Sequence, residues 1–133
     1  MIFKQIFDTK SSTYTYIIAS AKGREAVIID PVLENVDEYI QLLKELDLKL
    51  VKVIDTHIHA DHVTGASKLK QATNCTTLMG EHTPADTVEI KVKDNELIKI
   101  DGLKIKSLYT PGHTSDSYSF LLDNYLFSGD TLL

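Results

Sequence analysis

Asp55-Thr56-His57-Ile58-His59-Ala60-Asp61-His62 places three of the chain's five histidines and one aspartate between His57 and His62. Drawn independently at the chain's own residue frequencies, His-x-His-x-Asp-His would arise in roughly 6 chains per 10,000, so the spacing asks for a chemical reason. Neutral imidazole and carboxylate are natural ligands for zinc or iron, and such sites gather groups from distant positions in a sequence. The cluster therefore needs partners elsewhere.

Working outward, LVKVID (50–55) reads as a buried strand that runs straight into the cluster. Two further residues occupy the same situation. His113, in Thr110-Pro111-Gly112-His113-Thr114, follows the strand-like LKIKSLYT, and Asp130, in Ser128-Gly129-Asp130-Thr131, follows YLFSG. A rigid strand can deliver one ligand from its tip, and Gly112 and Gly129 permit the unusual backbone turns this can require. Taken singly, His113 is an ordinary turn residue and Asp130 an ordinary turn or cap residue; the cluster makes them candidates. His82, in Gly80-Glu81-His82-Thr83-Pro84, fits no motif and reads as a loop residue.

The remaining pattern is that of a layered α/β domain. Segments 2–7, 13–19 and 25–30 are rich in Ile, Val, Phe, Tyr and Thr, with Lys22-Gly23 at a bend, and read as a strand followed by a hairpin. Val36, Tyr39, Ile40, Leu43 and Leu46 recur at helical steps, and Asn35 with Glu38 resembles a capping box, which predicts an amphipathic helix ending near Asp47. A second helix is expected over 64–72 and a short strand at CTTLMG. The tail reads as two hairpins: ELIKI and LKIKSLYT turn at Asp101-Gly102, SYSFLLD and YLFSG at Asp123-Asn124. Alternation of Leu103 and Ile105 with Lys104 and Lys106 puts one face of that sheet in water.

Composition bounds the function. With 133 residues, 43% hydrophobic and 25% charged, the chain reads as one soluble domain over 1–133, without repeat or linker. A net charge of −5 with no basic cluster argues against a nucleic-acid or membrane partner and for small molecules. The start, MIFKQIFDTKSSTY, has no signal-peptide run, and no segment approaches the ~18 apolar residues of a membrane helix, so a cytoplasmic location is expected. The single cysteine, Cys75, has no internal disulfide partner and reads as a small buried residue.

THIHADH, TPGHT and FSGDT resemble, in order and in strand–loop context, the successive metal-binding motifs of the metallo-β-lactamase superfamily. That resemblance implies an αββα sandwich with its site at one edge, where loops from both sheets meet, and here only its N-terminal half. Ala60, the continuation Val63-Thr64-Gly65, and Asp130-Thr131-Leu132-Leu133 most resemble the persulfide dioxygenase (ethylmalonic encephalopathy protein-like) branch. Glyoxalase II enzymes typically carry a bulky aromatic at the place of Ala60 and a further histidine where this chain has Ser115-Asp116-Ser117.

The resemblance implies one Fe(II) per chain held by His57, His113 and Asp130, with His59, Asp61 and His62 close around it and Asp61 and His62 as the candidate catalytic pair. Two histidines and a carboxylate leave coordination positions for water, substrate sulfur and O₂. The implied reaction oxidises glutathione persulfide, or a related small persulfide, to sulfite and thiol. The alternative is a thioester hydrolase of the glyoxalase II type with two Zn(II), in which His57, His59 and His113 hold one zinc, Asp61 and His62 the other, and Asp130 bridges. That arrangement is one histidine short, because only His82 is left over. A third reading is a truncated, non-catalytic metal-binding or interaction module, since the sequence stops at Leu133. A half-sandwich should expose an apolar sheet face, which implies a homo-oligomer or a partner that completes the layers.

Overall fold

Runs of β-branched and aromatic residues open the chain as an antiparallel meander, β1 (Ile2–Asp8), β2 (Thr13–Ala19) and β3 (Glu25–Ile29). The computed structural model describes residues 1–58, 64–85, 88–112 and 114–128. The first strand is thus itself half of a hairpin: Phe3 faces Ile18 across β1 and β2, and Tyr16 faces Ile29 across β2 and β3.

After β3 the chain crosses over. A 3₁₀ turn (Leu33–Asn35) leads into α1 (Val36–Glu45), which buries Val36, Tyr39 and Leu43 on the face the periodicity predicts. The predicted capping box does not form. Asn35 makes no side-chain cap; its side-chain amide instead donates to Asp8 Oδ1 at 3.1 Å, so the last residue of β1 captured the group that local pattern assigned to the helix. β4 (Lys49–Ile54), α2 (Ala66–Thr73), β5 (Thr76–Gly80) and β6 (Ile90–Val92) follow, with β3 to β6 all parallel. The pattern reading missed β6: Glu89-Ile90-Lys91-Val92 is too short to signal a strand, and parallel pairing to β5 is what makes it one.

The tail forms a second, antiparallel sheet: β7 (Leu97–Ile100), β8 (Leu103–Tyr109), β9 (Tyr118–Leu122) and β10 (Tyr125–Phe127). Both predicted turns occur, with positive φ at Gly102 and Asp123. The strand orders are β1-β2-β3-β4-β5-β6 and β10-β9-β8-β7.

The two sheets bury their inner faces against each other. Tyr16, Ile18, Ile29, Ile54 and Leu78 meet Ile105, Tyr118, Phe120 and Phe127. Both helices cover the outer face of the six-stranded sheet, where Tyr39, Leu43 and Leu69 pack on Ile17, Ile28, Val53 and Cys75. Cys75 is buried, as predicted, and burial pushes its thiol pKa up, which keeps it protonated and unreactive. The layering is therefore α–β–β, and among the described residues no helix covers the other sheet. Strand alternation assigns Leu97, Leu108, Leu121 and Leu126 to that sheet's outer face together with Lys99, Lys104 and Lys106. The expected apolar face is thus a mixed one. Among the described residues no helix is long and apolar enough to cross a membrane.

Tyr39 connects this scaffold to the end of β3. Its buried hydroxyl accepts from Val32 N at 3.1 Å and lies 3.0 Å from Thr15 Oγ1, whose own proton goes to Asp30 O at 2.7 Å. Tyr39→Phe leaves the Val32 amide without that acceptor, and we expect a loss of about 1–3 kcal/mol in urea unfolding at unchanged m. A midpoint equal to wild type would show the network to be dispensable.

Candidate metal centre

Because β3, β4 and β5 are parallel, their C-terminal ends share one edge of the sandwich, the situation in which open parallel sheets place their ligands. β8 and β10 also end there, since Tyr109 pairs with Tyr118 and Phe127 with Phe120. The two sheets are joined at this edge by the Tyr118 N–H, which donates to Thr56 O at 2.9 Å. The loops that follow β4, β5, β8 and β10 thus issue from one place.

His57 sits at the centre of that edge, only 5% exposed. Its position is fixed by a chain of hydrogen bonds that begins at Asp30, the residue after β3. Asp30 is buried with φ +55, a left-handed conformation that costs a non-glycine residue about 1–2 kcal/mol. Its carboxylate accepts from Thr56 N and from Thr56 Oγ1, each at 2.8 Å. Thr56 Oγ1 lies 2.9 Å from His57 Nδ1. A hydroxyl has one proton, and here it points to Asp30; the contact with the ring therefore requires Nδ1–H as donor and Thr56 Oγ1 as acceptor. That selects the tautomer whose lone pair is on Nε2, the form in which a histidine can bind a metal through Nε2.

The segment beyond His57 is held as well. Ile58 N donates to Asp116 Oδ2 at 2.8 Å, Thr64 forms an antiparallel bridge with Val32, and Gly65 N donates to Pro31 O at 2.9 Å. Gly65 is required by contact: an added Cβ would stand 2.7 Å from Val36 Cγ2.

Next to this edge lies an aromatic cluster. Tyr118 covers Gly80 so closely that an added Cβ would fall 1.9 Å from the ring. Burial, with the charges of Glu81 and Asp94, pushes its phenol pKa up. His82 is indeed a loop residue, exposed after β5, with its ring stacked on Tyr109 at 3.9 Å and 16°.

Of the residues predicted to form the site, His57 alone is described; His59, Asp61, His62, His113 and Asp130 lie outside the described residues. Their described neighbours are Ile58, Thr64, Gly112, Thr114 and Ser128. Gly112 differs from expectation, with no positive φ and nothing within 4 Å of an added Cβ, whereas Asp30, just after β3, is left-handed; Gly129 lies outside the described residues. Among the described residues no three His, Cys, Asp or Glu side chains converge as a metal cluster. Asp30, Thr56 and Asp116 escaped the sequence reading. Asp30 had a usable signal, standing after the apolar run Val27-Ile28-Ile29 as His57 and His113 stand after theirs.

The sequence and the fold are similar to those of known proteins. The mitochondrial persulfide dioxygenase ETHE1 of Bos taurus is 36% identical over 136 residues, covering 100% of this chain and 53% of that protein. A probable zinc-dependent hydrolase of polyketide biosynthesis from Bacillus velezensis is 35% identical over 127 residues, covering 91% of this chain and 56% of its own. The crystal structure of ETHE1 from Myxococcus xanthus superposes with a TM-score of 0.90 at 44% identity, over 95% of this chain and 56% of that one. The chain spans about half the length of the curated relatives it matches. The family model of the Metallo-beta-lactamase superfamily extends over residues 8–133, and by a match of that length this chain belongs to the superfamily.

Proposed function

We propose that the edge around His57 is the mononuclear iron site of a persulfide dioxygenase, with His57, His113 and Asp130 as ligands and His59, Asp61 and His62 around them. The observation that carries this reading is the match of the whole of this chain to about half of the ETHE1 persulfide dioxygenases, at 36% identity for the bovine protein. The donor chemistry fits: His57 is buried, held by Thr56 and Asp30, and in the tautomer that offers Nε2. Fe(II) held there would supply open coordination positions for a persulfide sulfur and dioxygen.

The conversion balances as persulfide plus dioxygen plus water giving thiol, sulfite and two protons. The outer sulfur gives up four electrons and dioxygen takes them. The chain's own contribution is positional. Asp30 and Thr56 fix the His57 ring, and Asp61 and His62 orient the substrate and hold its proton by the same reading. The hydrolase alternative is favoured by the similarity to the zinc-dependent B. velezensis protein and to hydroxyacylglutathione hydrolases. Against it stand Ala60 and Ser115-Asp116-Ser117, which supply neither the aromatic nor the extra histidine of glyoxalase II enzymes.

Anaerobic reconstitution with Fe(II), metal quantification and an oxygen electrode test the proposal. The expected result is one iron per chain and oxygen uptake that depends on glutathione persulfide. Two zincs per chain with thioester hydrolysis would replace it by the hydrolase reading.

A further inference from the structure

Asp116 is a buried carboxylate on a loop whose other described residues are exposed or half-buried. It lies in the Thr110–Ser117 connection between β8 and β9, where Pro111, Gly112 and Ser115 are exposed while Asp116 is only 5% exposed. The loop is braced internally by Thr110 N to Ser117 O at 3.1 Å and by the Thr114 and Ser117 hydroxyls at 2.5 Å, and Tyr109 OH holds Ser115 O at 2.9 Å. Burying a carboxylate is costly unless hydrogen bonds compensate it, so its inward placement needs a cause. That cause is the Ile58 amide, which donates to Asp116 Oδ2 at 2.8 Å.

That bond has a partner. Tyr118 N, two residues after Asp116, donates to Thr56 O at 2.9 Å. The same segment therefore grips the backbone on both sides of His57, at Thr56 and at Ile58. His113 stands in this segment, three positions before Asp116.

We propose that Asp116 is a positioning residue that clasps the His57 loop to the His113 loop and thereby sets the affinity of the pair for a divalent cation. The inference rests on the metal site proposed above. It acts through a hydrogen-bond acceptor at a fixed place, and the charge of Asp116 is not what the clasp requires.

Asp116→Ala, Asp116→Asn and Asp116→Glu test it, using Fe(II) under anaerobic conditions against a chromophoric chelator, with amide hydrogen exchange at Ile58 followed in metal-free protein. Asp116→Ala should bind iron about 10- to 100-fold more weakly and exchange faster at Ile58. Asp116→Asn keeps an acceptor without the charge and should restore both. If Asp116→Ala does not fold, Asp116→Glu, whose extra methylene displaces the acceptor, should bind more weakly than Asp116→Asn. Wild-type affinity in a folded Asp116→Ala, or in Asp116→Glu, overturns the clasp, as does an Asp116→Asn variant that binds poorly while Ile58 stays protected. A wild-type chain that takes up no divalent cation defeats the functional proposal and this inference with it; wild-type binding that ignores Asp116 defeats the inference alone.

Discussion

Asp30→Asn should weaken iron binding about 10- to 100-fold while the protein stays folded. The backbone is not the obstacle, because asparagine tolerates the φ of +55 that Asp30 adopts. The change is in proton direction. The carboxylate accepts twice, from Thr56 N and from Thr56 Oγ1. A carboxamide can still accept from the amide through its oxygen, but its nitrogen then donates to Thr56 Oγ1. The threonine proton is turned toward His57, Nδ1 becomes the acceptor, and the ring's own proton moves to Nε2. A histidine in that tautomer has no lone pair on Nε2 to give. One atom changed two residues away thus disables a proposed ligand without removing it. Anaerobic Fe(II) titration against a chelator measures the effect, and a urea melt checks the fold. Binding at wild-type strength would mean that Thr56 and Asp30 do not govern the tautomer of His57.

Gly80→Ala should be the most destabilising single methyl addition at this edge, at or beyond the upper end of the about 1–3 kcal/mol typical of overpacking. The new Cβ would stand 1.9, 2.2 and 2.4 Å from three atoms of the Tyr118 ring. The ring has little room to retreat. It is buried to 1% exposure, and its backbone is paired to Tyr109 in β8 and bonded to Thr56 O. Either β5 or β9 must shift, and a shift of β9 moves Thr56 beside His57. Thermal unfolding should show the loss, and Tyr118→Leu in the same chain should recover part of it by removing the ring atoms that clash. A Gly80→Ala melting temperature equal to wild type would refute the packing argument.

Much of the fold was legible because its strands alternate or run apolar without ambiguity and its turns carry strong local signals. Asp101-Gly102 and Asp123-Asn124 turn where predicted, and α1 buries the predicted stripe. What failed were groups whose partners are remote. Asn35 looks like a cap in its own window, but Asp8 is 27 positions away and takes its amide. β6 has three residues and exists through its pairing with β5. For the site, sequence pattern proposes residues of metal-ligand type, and the fold gathers the ends of β4, β8 and β10, the strands that precede them in the chain. Asp30, Thr56 and Asp116 were missed: Asp30 carried a signal in its place after an apolar run, but Asp116 looks like any turn aspartate and Thr56 like any strand-end threonine until the acceptor geometry is seen. Asp30 and Asp116 come from outside the histidine-rich stretch that first attracted attention, as does Tyr118, whose N–H holds Thr56 O.

The main-chain bond from Tyr118 to Thr56 joins one sheet to the other at the point where His57 is held. Many binding sites ride on segments that open locally at little cost while the body of the protein stays closed. Here the backbone around His57 is shared with the two packed sheets, so it cannot breathe by itself: to free it, the sandwich must begin to part. Substitutions deep in the core, at Phe120 or Ile54, would then register at the site as lost occupancy before they register as lost protein. Retention of the metal becomes a gauge of the fold's own cooperativity.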